Sequence, residues 1–145
     1  EYLELIKHRL FSDDRSATYT LGRILKDLII LLHPIAPHIT EEIYSLIFGE
    51  KQSVLLETLP STEDIKIAEE VVRMGDSVKK FNSLVRTNKV KMRMSMNSQI
   101  RVELQGPKQF VEDVMKVEDD LKKTLKITEI AYREADQLDV KISPT

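Results

Sequence analysis

Apolar residues in the front half of the chain recur at three- and four-residue spacing, the spacing of helices. Leu3, Ile6 and Leu10 predict a helix over residues 1–10. A second helix is predicted over 14–33, and we expect it to be buried on most sides because little polar surface remains. Its apolar stripe consists of Leu21, Ile24, Leu25, Leu28, Ile29, Ile30, Leu31 and Leu32.

Two prolines end the second helix. Pro34 and Pro37 cannot both lie inside one helix, so they predict a corner between two helices. Thr40 is then predicted to be the N-cap of a third helix, with Glu41 and Glu42 in its first turn, where the helix dipole favours negative charge. Gly49 is a natural end for this helix.

The rest of the chain first continues as helix and then changes period. Residues 52–60 are predicted to be irregular or briefly extended, and Ser61 with Asp64 resembles a capping box for a long helix over 62–90. Beyond it, Ile100, Val102 and Leu104 alternate with polar residues, which predicts a strand. A helix over 108–123, a strand near 127–132 and a possible third strand near 140–142 follow.

This order predicts a mainly α protein with a small C-terminal α/β appendage. We predict a helical bundle over residues 1–95 and an α/β appendage over 96–145 that packs on the bundle. About fifty residues are marginal for an independent fold, so the appendage should lean on its neighbour.

Composition narrows the possible chemistry. Cysteine is absent from the 145 residues, which excludes disulfides, thiolate metal sites and a cysteine nucleophile. No run of 18 apolar residues is present, so we expect no membrane partner. The chain starts at Glu1 without a signal-like segment, and we expect it to be a piece of a longer protein.

Catalytic and metal-binding patterns are also missing. His33 and His38 flank the two prolines, but a metal site would need further ligands, and Glu41 and Glu42 are explained more simply by the start of a helix. The chain has no glycine-rich phosphate loop. We therefore predict no catalytic residue and no metal site in it.

The segment from Arg73 to Arg101 has an unusual charge. It holds eight basic residues and one acid, Asp76, whereas the whole chain has a net charge of -2. Residues 103–139 offset it with ten acids against six bases. If the helix persists to residue 93, one stripe forms beside the apolar stripe of Met74, Val78, Phe81, Val85 and Met92. The stripe consists of Lys79, Asn82, Arg86, Lys89 and Arg93, with Lys91 next to it.

Two interpretations of this stripe remain open. Solvated helix faces usually mix both signs of charge, and like charges at these spacings repel one another. A phosphate backbone would offset that repulsion through counterion release. The pattern therefore predicts a nucleic-acid surface, with a solvated face or a surface for an acidic protein as the alternative.

Several segments resemble the C-terminal anticodon-binding domain of the class Ia aminoacyl-tRNA synthetases. Residues 31–44, LLHPIAPHITEEIY, are similar to the family signature of a leucine-rich helix, two prolines, Thr and Glu-Glu. Residues 2–10 resemble the preceding helix in the form usual for valyl enzymes, and Val85–Lys89 resembles a helix that faces tRNA. Residues 53–60 also resemble the family, although Leu59 stands where a Trp is frequent. The similarity covers roughly residues 1–105.

The resemblance implies a domain that binds the anticodon stem-loop of a tRNA, with valine tRNA favoured over the isoleucine, leucine and methionine alternatives. It implies an upstream catalytic domain in the same chain that uses ATP with Mg²⁺ in the cytoplasm, while this piece needs no cofactor. Phosphate contacts are then expected from Lys79, Arg86, Lys89, Lys91 and Arg93. Asn82, Asn88 and Asn97 are candidates for reading unstacked bases.

Overall fold

The computed structural model describes residues 2–12, 14–49, 52–62 and 68–145. These residues form six α-helices, one 3-10 turn and three strands, which confirms the mainly α fold with a small C-terminal α/β part. The helices are α1 (Tyr2–Leu10), α2 (Arg15–Leu32), α3 (Pro37–Phe48), α4 (Glu69–Lys91), α5 (Lys108–Met115) and α6 (Glu118–Leu125). The strands are β1 (Ile100–Gly106), β2 (Ile127–Glu134) and β3 (Asp139–Pro144), and the 3-10 turn is Val54–Leu56.

The chain forms two compact units. The helical unit comprises residues 9–66, and the α/β unit comprises residues 1–8 and 67–145. The sequence interpretation divided the chain near residue 95 and left α4 with the front helices. In the structure α4 packs against α5, α6 and β3 and belongs to the same unit as these elements.

The α/β unit contains a three-stranded sheet with the order β2-β1-β3. The central strand β1 is parallel to β2 and antiparallel to β3, and α5 and α6 connect the two parallel strands. The alternation predicted from sequence is present, because Ile100, Val102 and Leu104 are buried while Arg101 and Glu103 are exposed. One face of the sheet therefore packs and the other meets solvent.

Helix α4 supplies the other half of this core. Val78, Phe81 and Val85 are buried in one cluster with the sheet residues, and Phe81 and Val85 have no exposed surface. Complete burial of one such side chain stabilises the fold by roughly 2–3 kcal/mol. A single apolar core thus spans both sides of the division predicted at residue 95.

The single helix predicted over 108–123 is wrong in detail, because it is two short helices. Helix α5 ends before Lys116, and Val117 leaves helical geometry with ψ at 22° before α6 begins. Each short helix turns its own apolar residues to the core, among them Val114 and Leu121, which are both fully buried. The break lets each helix orient these side chains separately.

The helical unit begins with a side-chain cap. Asp14 precedes α2, and its carboxylate accepts hydrogen bonds from the backbone N–H of Ser16 at 2.9 Å and of Ala17 at 3.2 Å. The carboxylate also pairs with Arg9, 2.8 Å away. These interactions hold the pKa of Asp14 below its usual range, with the Ala17 N–H as the largest cause. The predicted start of the second helix is thus confirmed to within a residue.

The predicted N-cap at Thr40 is wrong. Helix α3 starts at Pro37, which occupies the first helical turn, where a missing N–H costs nothing. Thr40 lies inside the helix and is buried, and its hydroxyl donates to the Ala36 carbonyl at 2.8 Å. The same hydroxyl lies 2.8 Å from His33 Nδ1, so it ties the end of α2 to the start of α3. Gly49 ends α3 as predicted, with φ at 108°.

The start of α4 differs from the prediction as well. Its N-cap is Ala68, which makes no side-chain capping bond, and the proposed capping-box residue Asp64 lies outside the described residues. Gly75 lies within α4, as predicted, and no atom lies near the position that a Cβ would occupy.

Helix α2 is less buried than its apolar pattern predicted. Ala17, Ile29 and Ile30 are buried, but Leu28, Leu31 and Leu32 are each about half exposed. Helix α3 also has large apolar side chains that are exposed. We call the whole surface the α2–α3 apolar face: it consists of Leu28, Leu31, Leu32, Ile35, Ile39, Ile43, Leu46 and Ile47.

A polar cluster fastens the 3-10 turn to the helices. The Tyr44 hydroxyl donates to the Glu57 carboxylate, and the Lys26 ammonium lies 2.9 Å from the same carboxylate. The hydrogen bond from Tyr44 and then the one from Lys26 hold the pKa of Glu57 below its usual range. Val54 is anchored too, since its N–H donates to Glu41 at 3.1 Å.

This cluster predicts a pH dependence of stability. The pKa of Glu57 is lower in the folded than in the unfolded chain, so its contribution is fully present above the unfolded pKa of 4.5 and disappears as the pH falls through the folded pKa. Glu57→Gln should therefore be less stable than the unaltered chain at pH 7, and the difference should shrink below pH 4.5. Urea unfolding of both chains between pH 3 and pH 7 measures it. A difference that does not change with pH would show that the Glu57 charge contributes no stability.

Candidate nucleic-acid interface

The predicted cationic stripe lies mostly on α4, and its residues differ in how deeply they are buried. Lys79, Lys91 and Arg93 are exposed, and Arg86 is half-buried. Asn82 and Lys89 are buried, with 0% and 1% of their surface exposed. The helix also stops at Lys91, so the stripe is not one continuous helical row.

The reason for this division is visible on the helix itself. Asn82 and Lys89 follow the core residues Val78 and Val85 by four positions, which places them only about 40° around the helix from the core. Lys79 and Arg86 follow the same valines by one position, or about 100°. The nearer pair is buried, whereas Lys79 is exposed and Arg86 is half-buried.

Arg86 is held in place by Asn82. The Nε of the Arg86 guanidinium donates to Asn82 Oδ1 at 3.1 Å. Asn82 Nδ2 is buried and has no hydrogen-bond partner in the described part of the chain. A fully buried amide cannot reach a base edge, so the structure gives Asn82 the role of orienting Arg86 rather than contacting RNA itself.

Lys89 forms a buried anchor. Its ammonium donates to three backbone carbonyls: Met96 at 2.9 Å, Ser98 at 2.8 Å and Leu125 at 2.8 Å. All three N–H donors of the ammonium are thus used, and no exposed face remains for a phosphate. The predicted phosphate contact by Lys89 is therefore replaced by a structural role, which fixes the segment after α4 against the end of α6.

Two other positive charges, Arg86 and Lys126, act on Lys89. Burial lowers the pKa of Lys89 most, and the charges of Arg86 and then Lys126 lower it further. In the described part of the chain no carboxylate forms an ion pair with these three groups. Positive charges gathered in this way repel one another, and an anion bound at the surface would relieve that repulsion.

Lys91 and Arg93 lie where α4 ends. Met92 is the C-cap, and Arg93 adopts the left-handed conformation with φ at 56°. The backbone N–H groups of both Met94 and Arg93 return to α4, to the carbonyls of Lys89 and Val90 at 2.9 Å. We call residues 92–99 the α4–β1 loop. Arg93 lies at the start of this loop, two residues after Lys91. Lys89 holds the loop in place through its hydrogen bonds to the Met96 and Ser98 carbonyls.

The other residues considered for contact with a nucleic acid differ in their exposure and in their existing hydrogen bonds. Lys79 pairs with Asp76 at 2.7 Å in an exposed ion pair, which contributes little stability. Asn88 is half-buried and donates to the Val140 carbonyl, whereas Asn97 is exposed in the α4–β1 loop. Phe81 is fully buried and cannot stack on a base. Asn97 is thus the best placed of the three asparagines to meet a nucleotide.

The open face of the sheet has a different character. Arg101 lies 3.9 Å from Glu129, Lys141 lies 3.9 Å from Asp139, and Glu103 is opposite Lys141 in the β1–β3 register. Mixed charges in cross-strand pairs are typical of a solvated face. Exposed basic side chains lie at the end of α4 and in the α4–β1 loop, and Lys126, which is not among the residues predicted from sequence, lies near Lys89.

The described residues contain no group of three or more His, Cys, Asp or Glu side chains that could hold a metal ion. Within the same residues, no helix is long and apolar enough to cross a membrane.

Comparison with known proteins agrees with this geometry. The family described as the anticodon-binding domain of tRNA ligase matches residues 1–104. A valine–tRNA ligase of Saccharolobus solfataricus is 54% identical over 142 residues, which is 98% of this chain and 17% of that protein. Valine–tRNA ligases of Sulfurisphaera tokodaii and Pyrococcus furiosus are 50% and 35% identical, over 95% and 70% of this chain and 17% and 12% of those proteins. The chain spans about one-sixth of the length of its most similar relatives, and it belongs to the family of anticodon-binding domains of tRNA ligases.

Proposed function

We propose that this chain is the anticodon-binding part of a valine–tRNA ligase and binds the anticodon stem-loop of a valine tRNA. The observation that carries the proposal is the group of cations at the end of α4, where Arg86 lies near the buried Lys89 and the exposed Lys91 and Arg93 follow in the chain. The names of the relatives favour valine over isoleucine, leucine or methionine.

The contacts follow from the placement of each group. Arg86 presents a guanidinium whose Nε is fixed by Asn82, so its remaining N–H donors can form a two-pronged contact with a phosphate. Lys91, the last residue of α4, and Arg93, in the α4–β1 loop, add exposed charges, and Lys79 adds one a few turns earlier on α4. Such contacts position the RNA without reading its sequence. Asn97 is the candidate for a base contact among the polar groups of the α4–β1 loop.

The parent ligase would supply the chemistry. We propose that its other regions bind ATP with Mg²⁺ and attach the amino acid in the cytoplasm, because the matched relatives are named valine–tRNA ligases and the matched region is only 17% of the Saccharolobus protein. We also propose that the α2–α3 apolar face packs against the catalytic part of the same chain. A set of large apolar side chains exposed on two helices in contact is typical of an interface.

Salt dependence of RNA binding tests the proposal. Four phosphate contacts should weaken the affinity for a valine tRNA transcript about 50- to 150-fold when salt rises from about 50 to about 200 mM. Arg86→Ala combined with Lys91→Ala and Arg93→Ala should remove most of that dependence, while Lys141→Ala, which lies on the mixed-charge sheet face, should not. Fluorescence anisotropy over a salt series measures both.

A hairpin with an exchanged anticodon completes this experiment. Weaker binding of that hairpin would support anticodon recognition. Equal affinity for the valine hairpin and an unrelated hairpin would contradict it. A salt slope near zero, or no binding at low salt, would favour the alternative of a basic face that docks an acidic protein.

A further inference from the structure

Two cations of the α/β unit have an unusual backbone. Among the described residues, the non-glycine residues with positive φ are Arg93, at 56°, and Lys126, at 58°. Arg93 lies two residues after the end of α4, and Lys126 directly follows α6. A left-handed residue just after a helix is usually glycine, because a Cβ is strained in that conformation. A strained backbone at both positions, each with a basic side chain, points to a use for the charge.

One ammonium fixes both strained positions. Lys89 donates to the carbonyls of Met96 and Ser98, in the loop that contains Arg93, and to the carbonyl of Leu125, the residue before Lys126. The α4–β1 loop and the end of α6 are therefore held at a fixed spacing. Lys126 is close enough to Lys89 for its charge to act on that group.

Lys126 also lines a groove, which we call the corner groove. The groove has a volume of about 380 Å³ and is lined by His8, Gln99, Lys122, Lys123, Lys126, Ile127 and Thr128. No acidic residue is among these lining residues. Lys122 is neutralised by Glu118 at 2.5 Å, and His8 lies 3.0 Å from Asp120. Lys123 and Lys126 have no ion-pair partner in the described part of the chain, so they determine the charge of the groove.

A purely structural role explains only part of this arrangement. Basic residues in the last turn of α6 interact favourably with the helix dipole, which accounts for Lys122 and Lys123. Glycine or asparagine at position 126 would end the helix with less strain, so the dipole does not account for Lys126. Two free ammonium groups at the edge of a groove, with an amide from Gln99 beside them, suit a tetrahedral phosphate group.

We propose that the corner groove is a second phosphate-binding site, in which Lys123 and Lys126 hold a backbone phosphate of the RNA that binds at the end of α4. The inference rests on the proposed function, because the RNA is the ligand in both. It extends the contact surface from α4 to the α6–β2 corner of the α/β unit. The source of the phosphate is an RNA strand rather than a free phosphorylated molecule.

Replacement of Lys126 by glycine tests the proposal, because stability and RNA affinity should not fall together. Lys126→Gly removes the charge and also relieves the left-handed strain, so its thermal unfolding midpoint should be equal to or higher than that of the unaltered chain. Its affinity for a valine tRNA transcript should nevertheless fall about three- to tenfold, with a salt slope lower by about one. Lys123→Ala should weaken binding in the same direction. Lys108→Ala, which removes one exposed charge outside the groove, should leave affinity within about twofold.

The possible outcomes separate the two proposals. If the Lys123 and Lys126 variants bind RNA normally while the α4 variants do not, the second site is overturned and the proposed function stands. A lower unfolding midpoint for Lys126→Gly would overturn the argument from strain. If the unaltered chain binds no RNA, both proposals fail.

Inorganic phosphate distinguishes the source of the ligand. An NMR titration at constant ionic strength would follow the backbone amides of residues 122–128. Amides that respond to millimolar phosphate, together with normal RNA affinity of the variants, would assign the groove to a free phosphorylated molecule and overturn the RNA proposal. Amides that respond to the RNA hairpin at lower concentration than to phosphate would support it.

Discussion

Replacement of Lys89 by alanine should destabilise the α/β unit by about 3–4 kcal/mol, one of the two largest effects that we expect. The change leaves three carbonyls without their ammonium donor and removes a side chain that is 99% buried, with 1% of its surface exposed. Lys89→Met keeps most of the side-chain volume, so its loss should be smaller and should report the hydrogen bonds alone. Urea unfolding of both variants measures the two losses.

A neighbouring surface lysine provides the control. Lys91→Ala removes the same charge from an exposed position and should change stability by less than about 0.5 kcal/mol, while weakening RNA binding directly. If Lys89 contacted phosphate as the helical stripe predicted, Lys89→Met would retain its stability and lose only RNA affinity. Full stability of both Lys89 variants would contradict the buried anchor.

Phe81→Ala should cost about 3–5 kcal/mol, because a fully buried aromatic ring leaves a cavity between α4 and the sheet. The effect should extend across the division predicted at residue 95. Hydrogen exchange should lose protection together in α4, β1 and α6, while α2 and α3 keep theirs, since they belong to the other unit. Mass spectrometry of peptides from each helix reads this out.

Val71→Ala is the matched control for Phe81→Ala. Val71 is on the same helix but is 60% exposed, so its loss should stay within about 0.5 kcal/mol. If Phe81→Ala weakened protection in α4 but left the sheet unchanged, α4 and the sheet would unfold independently, and the shared core would not act as one cooperative unit.

Local patterns were sufficient to predict most of the elements. The alternation around Val102 gave β1, and the three- and four-residue spacing gave α1, α2 and α4 to within a few residues, apart from the start of α4. Pro34 and Pro37 correctly predicted a corner, but Thr40 was mistaken for a cap because proline can itself occupy the first turn. The break at Val117 was missed, since the apolar residues on both sides keep helical spacing.

The candidate site was harder to predict because it depends on tertiary contacts. A helical wheel places Asn82 and Lys89 between the apolar and the exposed sectors, and only tertiary packing decides that they are buried. A signal was present, since both follow a core valine by four residues. The sequence of α4 could not point to Lys126. The two regions meet only through the tertiary structure, in which Lys89 bonds to Leu125, 36 positions along the chain.

The core that α4 shares with the sheet extends beyond the end of the matched family segment. The family match ends at residue 104, which lies inside β1, before α5, α6, β2 and β3. A protein cut at that point would expose Val78, Phe81 and Val85 to water and leave β1 without either neighbouring strand. The matched family region is therefore stabilised by the residues that follow it. A stable fragment of this protein has to extend through β3.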